Sequence, residues 1–262
     1  MSRRNAAAAS RVDLHVPYFA SGWAVFLDVD GTLLDIARQP DAVAVSQDLR
    51  DALRLAYCLS NGAVALISGR SLADLDHLFG PMQFPAAGQH GLERRDSRGH
   101  VTRSTDAHDR INLAARTLEA QAWTQSGILI EHKGLSLALH YRGAPESQEW
   151  AELSMRALLS GLGPEFQLIE GKMVYELKPG GRNKGTAIAD FMSEAPFAGR
   201  LPVFIGDDAT DEDGFEMVNS LAGHSVKVGS GNSAARWHIS DASGVRHWID
   251  CYAEYLKAGA KE

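Results

Sequence analysis

The amino-acid sequence predicts an α/β protein whose core is a doubly wound parallel sheet, interrupted by an inserted α+β region. Three short apolar runs, Trp23–Leu27, Ala63–Ile67 and Leu201–Ile205, each stop at a polar cluster. Such runs are typical of strands that are buried on both faces. Helical patterns lie between the runs, and strands that alternate with helices favour a parallel sheet. The middle of the chain instead shows two-residue alternation, which favours antiparallel strands.

Helices of the core are predicted from apolar residues at helical spacing. The first helix is indicated by Leu49, Leu53, Ala56 and Leu59. Ser71 and Asp74 have the spacing of a capping box and predict the start of the next helix. A further helix is expected to begin near Lys184. The last helix is predicted by Val245, Trp248, Ile249, Tyr252 and Leu256.

The inserted region combines one amphipathic helix with alternating strands. The helix is indicated by Ile111, Ala115, Leu118 and Ala122, and the alternation by Leu135, Leu137, Leu139 and Tyr141. Phe166–Glu170 and Met173–Leu177 flank a predicted Gly171-Lys172 turn. We therefore expect a flexible tail over residues 1–18 and a Rossmann-like core over 19–96 and 180–262. An α+β cap domain is expected over 97–179.

Composition restricts the kinds of partner and location that are expected. Of the 262 residues, 45% are apolar and 23% are charged, as in ordinary soluble globular proteins. The net charge of −7 argues against nonspecific binding to nucleic acid or to anionic membranes. The chain shows neither a convincing signal peptide nor an apolar run of about 20 residues. Cys58 and Cys251 are interpreted as reduced core residues. We expect a cytoplasmic monomer.

Polar side chains follow each of the three predicted parallel strands. In open parallel sheets, ligands bind beyond the carboxyl ends of the strands, so these side chains are expected to meet in space. Carboxylates gathered there would repel one another without a cation, and oxygen ligands without sulfur favour Mg²⁺. The side chains are Asp28 and Asp30 after the first strand, Ser68 after the second, and Asp207, Asp208 and Asp211 after the third.

The segment Asp28-Val-Asp-Gly-Thr32 has a mechanistic interpretation. A carboxylate such as Asp28 can attack phosphorus, and Asp30, two residues on, can exchange protons with the leaving group and with water. Gly31 permits a tight turn. Phosphoryl transfer also needs positive charge on the phosphoryl oxygens, which Lys184 can supply from the start of its helix.

These motifs together resemble those of the haloacid dehalogenase superfamily of phosphatases. The matching segments are D-V-D-G-T, I-S-G-R, N-K-G and G-D-D-A-T-D-E-D, in the family's order. The resemblance implies that Asp28 is the nucleophile and Asp30 the general acid and base. It implies that Mg²⁺ is bound by Asp28, the Asp30 carbonyl and Asp207, with Asp211 positioning waters or the lysine. Ser68 and Lys184 would hold the phosphoryl group, and Thr32, Gly69 and Arg70 would contact the substrate.

Segments of the predicted cap are similar to trehalose-6-phosphate phosphatases. The segments are G-Q-H-G-L-E, E-H-K-G-L-S-L-A-L-H-Y-R and V-Y-E-L-K-P, and the similarity runs from about Ala24 to Val228. It implies that Glu131, Lys133 and Glu176 bind the sugar. His132 and Lys178 depart from the family's pattern, the latter where arginine is frequent. His90 and Arg142 either line the cleft or are structural.

Other functions remain open at this point. The first is a phosphatase of the same superfamily for another sugar phosphate, such as sucrose phosphate or mannosylphosphoglycerate, or for a nucleotide; only the cap residues argue against it. The second is a signalling receiver module, which would hold phosphate on an aspartate but needs only about 120 residues and lacks an Asp30-type group. The third is a binding protein with an inactive site. Multiple-turnover release of phosphate separates the enzymes from the last two.

Overall fold

The computed structural model of the chain describes residues 16–36, 45–103 and 108–260. Most of the predicted N-terminal tail, residues 1–15, lies outside the described residues. Residue contacts divide the chain into a first unit, Met1–Val64 with Gly199–Glu262, and a second unit, Ala65–Ala198. Among the described residues, no helix combines the length and apolar content that crossing a bilayer requires.

The regular elements occur in mixed order along the chain. The strands are β1 (Trp23–Leu27), β2 (Val64–Ile67), β3 (Ala86–Gly88), β4 (Glu93–Arg95), β5 (Val101–Arg103), β6 (Leu129–His132), β7 (Leu137–His140), β8 (Phe166–Gly171), β9 (Val174–Pro179), β10 (Leu201–Gly206), β11 (His224–Val228) and β12 (Trp237–Ile239). The helices are α1 (Gln47–Leu59), α2 (Leu72–Phe79), α3 (His108–Ala122), α4 (Gln148–Leu162), α5 (Lys184–Met192), α6 (Glu212–Ser220) and α7 (Ala242–Gly259).

The first unit is built on parallel strands in the order β12-β11-β10-β1. β1 pairs with β10 in a register that places Val25 beside Val203. Every residue of β1 is buried, as expected for a strand covered on both faces. Helices α1 and α7 pack against each other, and α6 contacts β10 and β11. The parallel sheet and its helices confirm the predicted α/β class.

The second unit contains two kinds of strand arrangement. β2 and β3 pair in parallel, whereas β4 and β5 continue from β3 in antiparallel fashion. A separate antiparallel sheet has the order β6-β7-β9-β8. α3 contacts β6 and β7, and α4 contacts β8 and β9. This α+β part contains the residues that the alternating pattern identified; the boundaries 19–96, 97–179 and 180–262 remain a prediction.

The antiparallel sheet has one apolar and one polar face. Leu137, Leu139 and Tyr175 point to the apolar face and are buried in the core formed with α3 and α4. Successive side chains of a strand point to opposite faces. Residues between these positions, such as Ala138 and Glu176, therefore belong to the other face, which we call the polar face of the sheet.

Two details of the prediction were wrong. The hairpin turn consists of Lys172 and Met173, because Gly171 still pairs with Val174. Met173 takes the left-handed conformation, with φ 63°. Neither cysteine is part of the core: Cys251 is half-buried and Cys58 is exposed. Cys58 lies two residues beyond the buried Ala56 of α1, about 200° further round the helix, so its side chain faces away from the core.

Candidate functional site

The first unit brings three aspartates together at the carboxyl ends of two neighbouring strands. Asp28 follows β1, whereas Asp207 and Asp211 follow β10. One carboxylate oxygen of each lies within 4.8 Å of the others. Asp28 and Asp211 are buried and Asp207 is half-buried. The expected meeting of Asp28 and Asp207 is therefore observed, and it follows from the parallel pairing of β1 with β10.

Hydrogen bonds hold the two aspartates that follow β10. Asp211 Oδ2 accepts from the backbone N–H groups of Asp207 and Asp208, at 2.8 and 2.9 Å. Thr32 Oγ1 donates to Asp207 Oδ1 at 3.1 Å. The Lys227 ammonium donates to the backbone carbonyl of Asp207. Charge-assisted bonds of this kind fix a carboxylate more firmly than neutral ones. The hydroxyl of Thr32, predicted to contact substrate, here orients Asp207.

The loop after β1 is tightly folded and carries Asp30. The carbonyl of Val29 accepts from the N–H groups of Leu33 and Leu34, at 2.9 and 3.0 Å, and Gly31 N–H donates to the Leu34 carbonyl at 2.7 Å. Gly31 has a φ of 87°, a conformation that favours glycine. Asp30 is half-buried beside it. The loop thus requires glycine at the position next to Asp30.

Gly31→Ala is expected to lower both activity and stability. A Cβ at Gly31 would lie 2.1 Å from Asp207 Oδ2, so the carboxylate would have to move. If the chain is the phosphatase that its sequence predicts, at least about a tenfold loss of that activity is expected, because a charged group is displaced by a fraction of an ångström. Gly99→Ala is the matched control, because Gly99 has a φ of 85° and a Cβ added there would meet nothing within 4 Å.

Comparing the two variants separates backbone strain from displacement of Asp207. Both should lose free energy of unfolding because alanine is strained in the left-handed conformation, and Gly31→Ala should lose more because Asp207 must also move; denaturant titration measures both losses. Only Gly31→Ala should lose substantial activity. Equal activities for the two variants would contradict the placement of Asp207 against Gly31.

The aspartate cluster fits a divalent cation. Three acidic side chains offer oxygen atoms within 4.8 Å of one another, and two of the residues are buried. Buried carboxylates at such distances repel one another strongly unless positive charge lies among them. Oxygen donors without nitrogen or sulfur suit hard cations such as Mg²⁺. The cluster is therefore a candidate metal site.

In the second unit, Ser68 lies in a turn at the end of β2. Ser68 is buried, and its Oγ accepts from the backbone N–H of Arg70 at 3.1 Å. Its own N–H donates to the Ala87 carbonyl at 2.9 Å. Gly69 and Arg70 are half-buried. The hydroxyl oxygen is thus held close to the backbone of the turn.

Lys184 is the first residue of α5 and is almost fully buried. Asn183 caps this helix, accepting from Thr186 N–H at 2.8 Å, while Thr186 Oγ1 accepts from Asn183 N–H at 3.0 Å. Lysine is rarely buried without a partner of opposite charge or a functional reason. Lys184 is therefore not a solvated surface lysine.

Glu131 and Glu176 lie on the polar face of the antiparallel sheet, in one row across three strands. Ala138 of β7 pairs with Glu131 of β6 on one side and with Glu176 of β9 on the other. The Lys133 ammonium lies 3.9 Å from Glu131 Oε2 and 3.5 Å from Glu176 Oε2. The structure therefore brings together all three residues that were predicted to bind the sugar. The small Ala138 side chain separates the two carboxylates.

Two further residues of this face were not predicted from the sequence to belong to the site. His140 Nε2 lies 3.0 Å from Glu131 Oε2, and Ser136 Oγ donates to Glu176 Oε1 at 2.6 Å. Ser136, Ala138 and His140 alternate with the buried leucines of the same segment. The two-residue period was the available signal, because it places all three on the face opposite the core.

Hydrogen bonds and lysines keep both carboxylates ionised. The bond from His140 is the main reason that the pKa of Glu131 lies below its usual value. Burial alone would raise the pKa of Glu176, but the charge of Lys133 and the hydrogen bond from Ser136 lower it, and the net direction is down. Ionised carboxylates accept hydrogen bonds only, so this pair suits a ligand rich in hydroxyl groups.

The remaining residues singled out in the sequence have separate surroundings. His132 is exposed, next to Glu131 but pointing to the other face of the strand. Arg142 is exposed, with Nη2 3.5 Å from the Lys172 carbonyl. Lys178 is buried, and its ammonium donates to the Arg182 carbonyl at 3.2 Å.

Comparison with known proteins identifies the family. The family model described as trehalose-phosphatase matches residues 26–245. The chain belongs to the trehalose-phosphatase family. It is 45% identical over 244 residues to the trehalose-6-phosphate phosphatase of Escherichia coli K12, covering 92% of this chain and 90% of that protein. It is 28% identical over 262 residues to the maize (Zea mays) trehalose 6-phosphate phosphatase RA3, covering 91% of this chain and 71% of the relative.

Solved structures of trehalose-phosphatase relatives share the fold. The C-terminal domain of Candida albicans trehalose-6-phosphate phosphatase superposes with a TM-score of 0.74 at 21% identity, covering 92% of this chain and 99% of that one. A trehalose-6-phosphate phosphatase related protein gives a TM-score of 0.76 at 24% identity, covering 91% and 99%. These likenesses confirm the fold class.

Proposed function

We propose that this chain hydrolyses trehalose 6-phosphate to trehalose and phosphate, the last step of trehalose biosynthesis. The observation that carries the proposal is the family match over residues 26–245, which includes every residue proposed below for catalysis or sugar binding. The aspartate cluster and the carboxylates of the polar face supply groups suited to a phosphate and to a sugar.

The first half-reaction transfers the phosphoryl group to the enzyme. An Asp28 carboxylate oxygen attacks phosphorus, and the bond between phosphorus and the sugar oxygen breaks. Asp30 gives its proton to the departing oxygen, so that trehalose leaves as a neutral alcohol. Ser68 and Lys184 are assigned to the phosphoryl oxygens, where a hydroxyl and a positive charge stabilise the transition state.

The second half-reaction returns the enzyme to its starting state. Asp30, now a carboxylate, takes a proton from water as the water oxygen attacks phosphorus. The acyl–phosphate bond breaks, phosphate leaves, and Asp28 is a carboxylate again. Asp211, which holds the backbone of Asp207 and Asp208, fixes the geometry of the segment after β10.

We propose Mg²⁺ as the cofactor. Asp28, Asp207 and the Asp30 backbone carbonyl are assigned as its protein ligands, and oxygen donors of this kind match its preference. When bound, the ion neutralises charge on the phosphoryl oxygens and lowers the repulsion between phosphate and carboxylate. Asp211 and Thr32 support this set through their hydrogen bonds to the Asp207 segment.

The sugar is assigned to Glu131, Lys133 and Glu176. Two ionised carboxylates accept hydrogen bonds from hydroxyl groups, and the ammonium between them donates. A site built from such groups rejects analogues that lack the matching hydroxyls, since buried polar atoms would then lose partners. Thr32, Gly69 and Arg70 are proposed to contact the substrate near its phosphate.

A cytoplasmic location and a monomeric state complete the proposal. The cysteines Cys58 and Cys251 are both free thiols, as is usual in a reducing compartment. Light scattering of the purified protein tests the monomeric state, for which a mass of 28.3 kDa is expected. No nucleic acid or membrane partner is proposed for a chain of net charge −7.

A phosphate-release screen tests the proposed substrate. The purified protein is assayed with trehalose 6-phosphate, sucrose 6-phosphate, mannosylphosphoglycerate, glucose 6-phosphate and 4-nitrophenyl phosphate, with Mg²⁺ present. We expect kcat/KM to be highest for trehalose 6-phosphate. A higher value for another sugar phosphate would favour the alternative, a phosphatase of the same superfamily with different sugar specificity.

Glu131→Ala is expected to reduce substrate preference. The ratio of kcat/KM for trehalose 6-phosphate to that for 4-nitrophenyl phosphate should fall on the order of 10²-fold. The reason is that the hydroxyl groups of the disaccharide lose the Glu131 carboxylate as an acceptor, whereas the aryl phosphate has no such hydroxyl groups. His132→Ala, which alters the exposed neighbour, is the control and should keep the ratio of the wild type. Equal losses on both substrates would count against sugar binding by Glu131.

A further inference from the structure

His90 occupies a strained and buried position in the second unit. Gln89 and His90 have φ of 47° and 55°, two consecutive non-glycine residues in the left-handed region. Such conformations are sparsely populated and are often kept at functional sites, where the surrounding structure enforces them. Only 12% of the His90 side chain is exposed. The position of this ring therefore depends on contacts that hold an unfavourable backbone.

Those contacts join His90 to the Ser68 turn. The N–H of His90 donates to the Ser68 carbonyl at 3.0 Å, and the N–H of Gln89 donates to the Arg70 carbonyl at 2.9 Å. The imidazole packs against Gly69: a Cβ at that position would lie 2.8 Å from His90 Nε2. The two turns form one hydrogen-bonded body, so the ring is held at a fixed position relative to Ser68.

The same ring faces the polar face of the sheet. His90 Nε2 lies 3.8 Å from Glu176 Oε2, which is too far for a direct hydrogen bond. A hydroxyl oxygen can lie about 2.8 Å from both atoms, donating to the carboxylate and accepting from the ring. The other oxygen of Glu176 already accepts from Ser136. Such an oxygen would lie beside the line that joins the two atoms, so the pair presents a donor and an acceptor at a spacing that one hydroxyl group can bridge.

The protonation state of His90 suits this arrangement. Burial lowers the pKa of His90 to about 3, although the Glu176 carboxylate opposes the shift. Three ammonium groups lower it further, those of Lys184, Lys178 and Lys133. The ring is therefore neutral. Its proton belongs on Nε2, since an unprotonated nitrogen facing a carboxylate would place two lone pairs together.

The surroundings of the second ring nitrogen, Nδ1, are consistent with a proton on Nε2. His90 Nδ1 is buried and has no hydrogen-bond partner among the described residues. An acceptor left without a partner costs less than a buried donor does. With Nε2 protonated, Nδ1 is an acceptor.

We propose that His90 is a specificity-determining residue which, together with Glu176, binds one hydroxyl of the sugar, with Nε2–H donating to that hydroxyl and Glu176 accepting from it. The proposal rests on the proposed function of the same site. Because the backbone of His90 is hydrogen-bonded to the Ser68 turn, His90 and Glu176 together also set the distance between that turn and the bound hydroxyl. A sugar whose hydroxyl lies at another distance from its phosphate would be discriminated against.

Two substitutions of different reach test the proposal. Asn tolerates the left-handed conformation but its amide ends near the Nδ1 position, whereas the longer Gln places its amide nitrogen near Nε2. The measured quantity is the ratio of kcat/KM for trehalose 6-phosphate to that for 4-nitrophenyl phosphate. We expect His90→Asn to lower it about 10- to 100-fold, and His90→Gln to keep it within about threefold.

A control and a double variant complete the test. His100→Asn changes an exposed histidine of the same unit and should retain the wild-type ratio. In the variant with His90→Asn and Glu176→Gln, the loss should be clearly smaller than the product of the single losses, because both side chains bind the same hydroxyl. A loss in the double variant equal to the product of the two single losses would contradict the proposal that His90 and Glu176 bind the same hydroxyl group.

Other outcomes separate this proposal from the proposed function. Equal losses of His90→Asn on both substrates would indicate a purely structural role through the Ser68 turn and would overturn the inference. A wild-type enzyme that prefers another sugar phosphate contradicts only the proposed substrate, and the variants are then assayed with the preferred one. A wild-type enzyme that prefers no sugar phosphate over the aryl ester contradicts both.

Discussion

Asp28→Asn is expected to reduce phosphate release by on the order of 10⁴-fold or more, since an amide is a very poor nucleophile toward phosphorus. The side chain is buried at the carboxyl end of β1, where its oxygen lies within 4.8 Å of those of Asp207 and Asp211. Asparagine has nearly the same shape and removes one of three clustered negative charges. The variant should therefore fold at least as stably as the wild type.

The measurement combines steady-state phosphate release with thermal unfolding. Asp35→Asn is the matched control, because Asp35 lies in the same loop but is exposed and paired with Arg246 at 3.3 Å. It should retain the activity of the wild type. Turnover by a folded Asp28→Asn protein at a rate close to that of the wild type would refute the assignment of Asp28 as the nucleophile.

Removal of divalent cations is expected to lower phosphate release on the order of 10³-fold, with full recovery when Mg²⁺ is added back. The reason is electrostatic. Without a cation, an anionic phosphate would have to approach three carboxylates at close quarters. The assay is phosphate release after dialysis against a chelator, followed by titration with Mg²⁺.

Thermal unfolding provides a second measurement of the same site. A cation that binds the folded state raises Tm, so Mg²⁺ should stabilise the chelated wild-type protein. Asp207→Asn should abolish most of that shift, whereas Asp213→Asn, an exposed aspartate of α6, should preserve it. Undiminished activity in excess chelator would rule out a catalytic metal.

Much of the fold was predictable because local signals agreed with the tertiary structure. The apolar run Trp23–Leu27 is β1 without any change of boundary. The capping box of Ser71 and Asp74 is present at the start of α2. The signals used were the turn residues that bound each apolar run and the 3.6-residue spacing of apolar residues in the helices. Both can be read from a short stretch of sequence, without knowledge of the tertiary structure. Cys58 shows the limit, because an apolar residue within a helix can lie on either face.

The candidate site was predictable where position along a strand decided it. Asp28 and Asp207 were expected together because parallel strands end at the same edge of a sheet. The bonds from His140 to Glu131 and from Ser136 to Glu176 were not expected. Partners across a sheet depend on strand order and register, which a single sequence does not contain.

The burial of Glu176 was missed for the same reason. A charged residue in a hairpin strand is usually solvated, and its neighbours in sequence do not reveal what covers it. His90, which faces it, comes from a turn 86 positions earlier in the chain. Contacts between such distant segments require the three-dimensional structure.

The row of Glu131, Ala138 and Glu176 makes the proposed sugar site sensitive to insertions and deletions. One extra residue inside β7 would shift everything beyond it by half a period, turning Leu139 outward and His140 toward the helices. Such a change would damage the apolar packing and the carboxylate pair in the same step. Lengthening the turn at Lys172 and Met173 leaves all three strands in step, so that turn is where a tag or a fused peptide is best inserted.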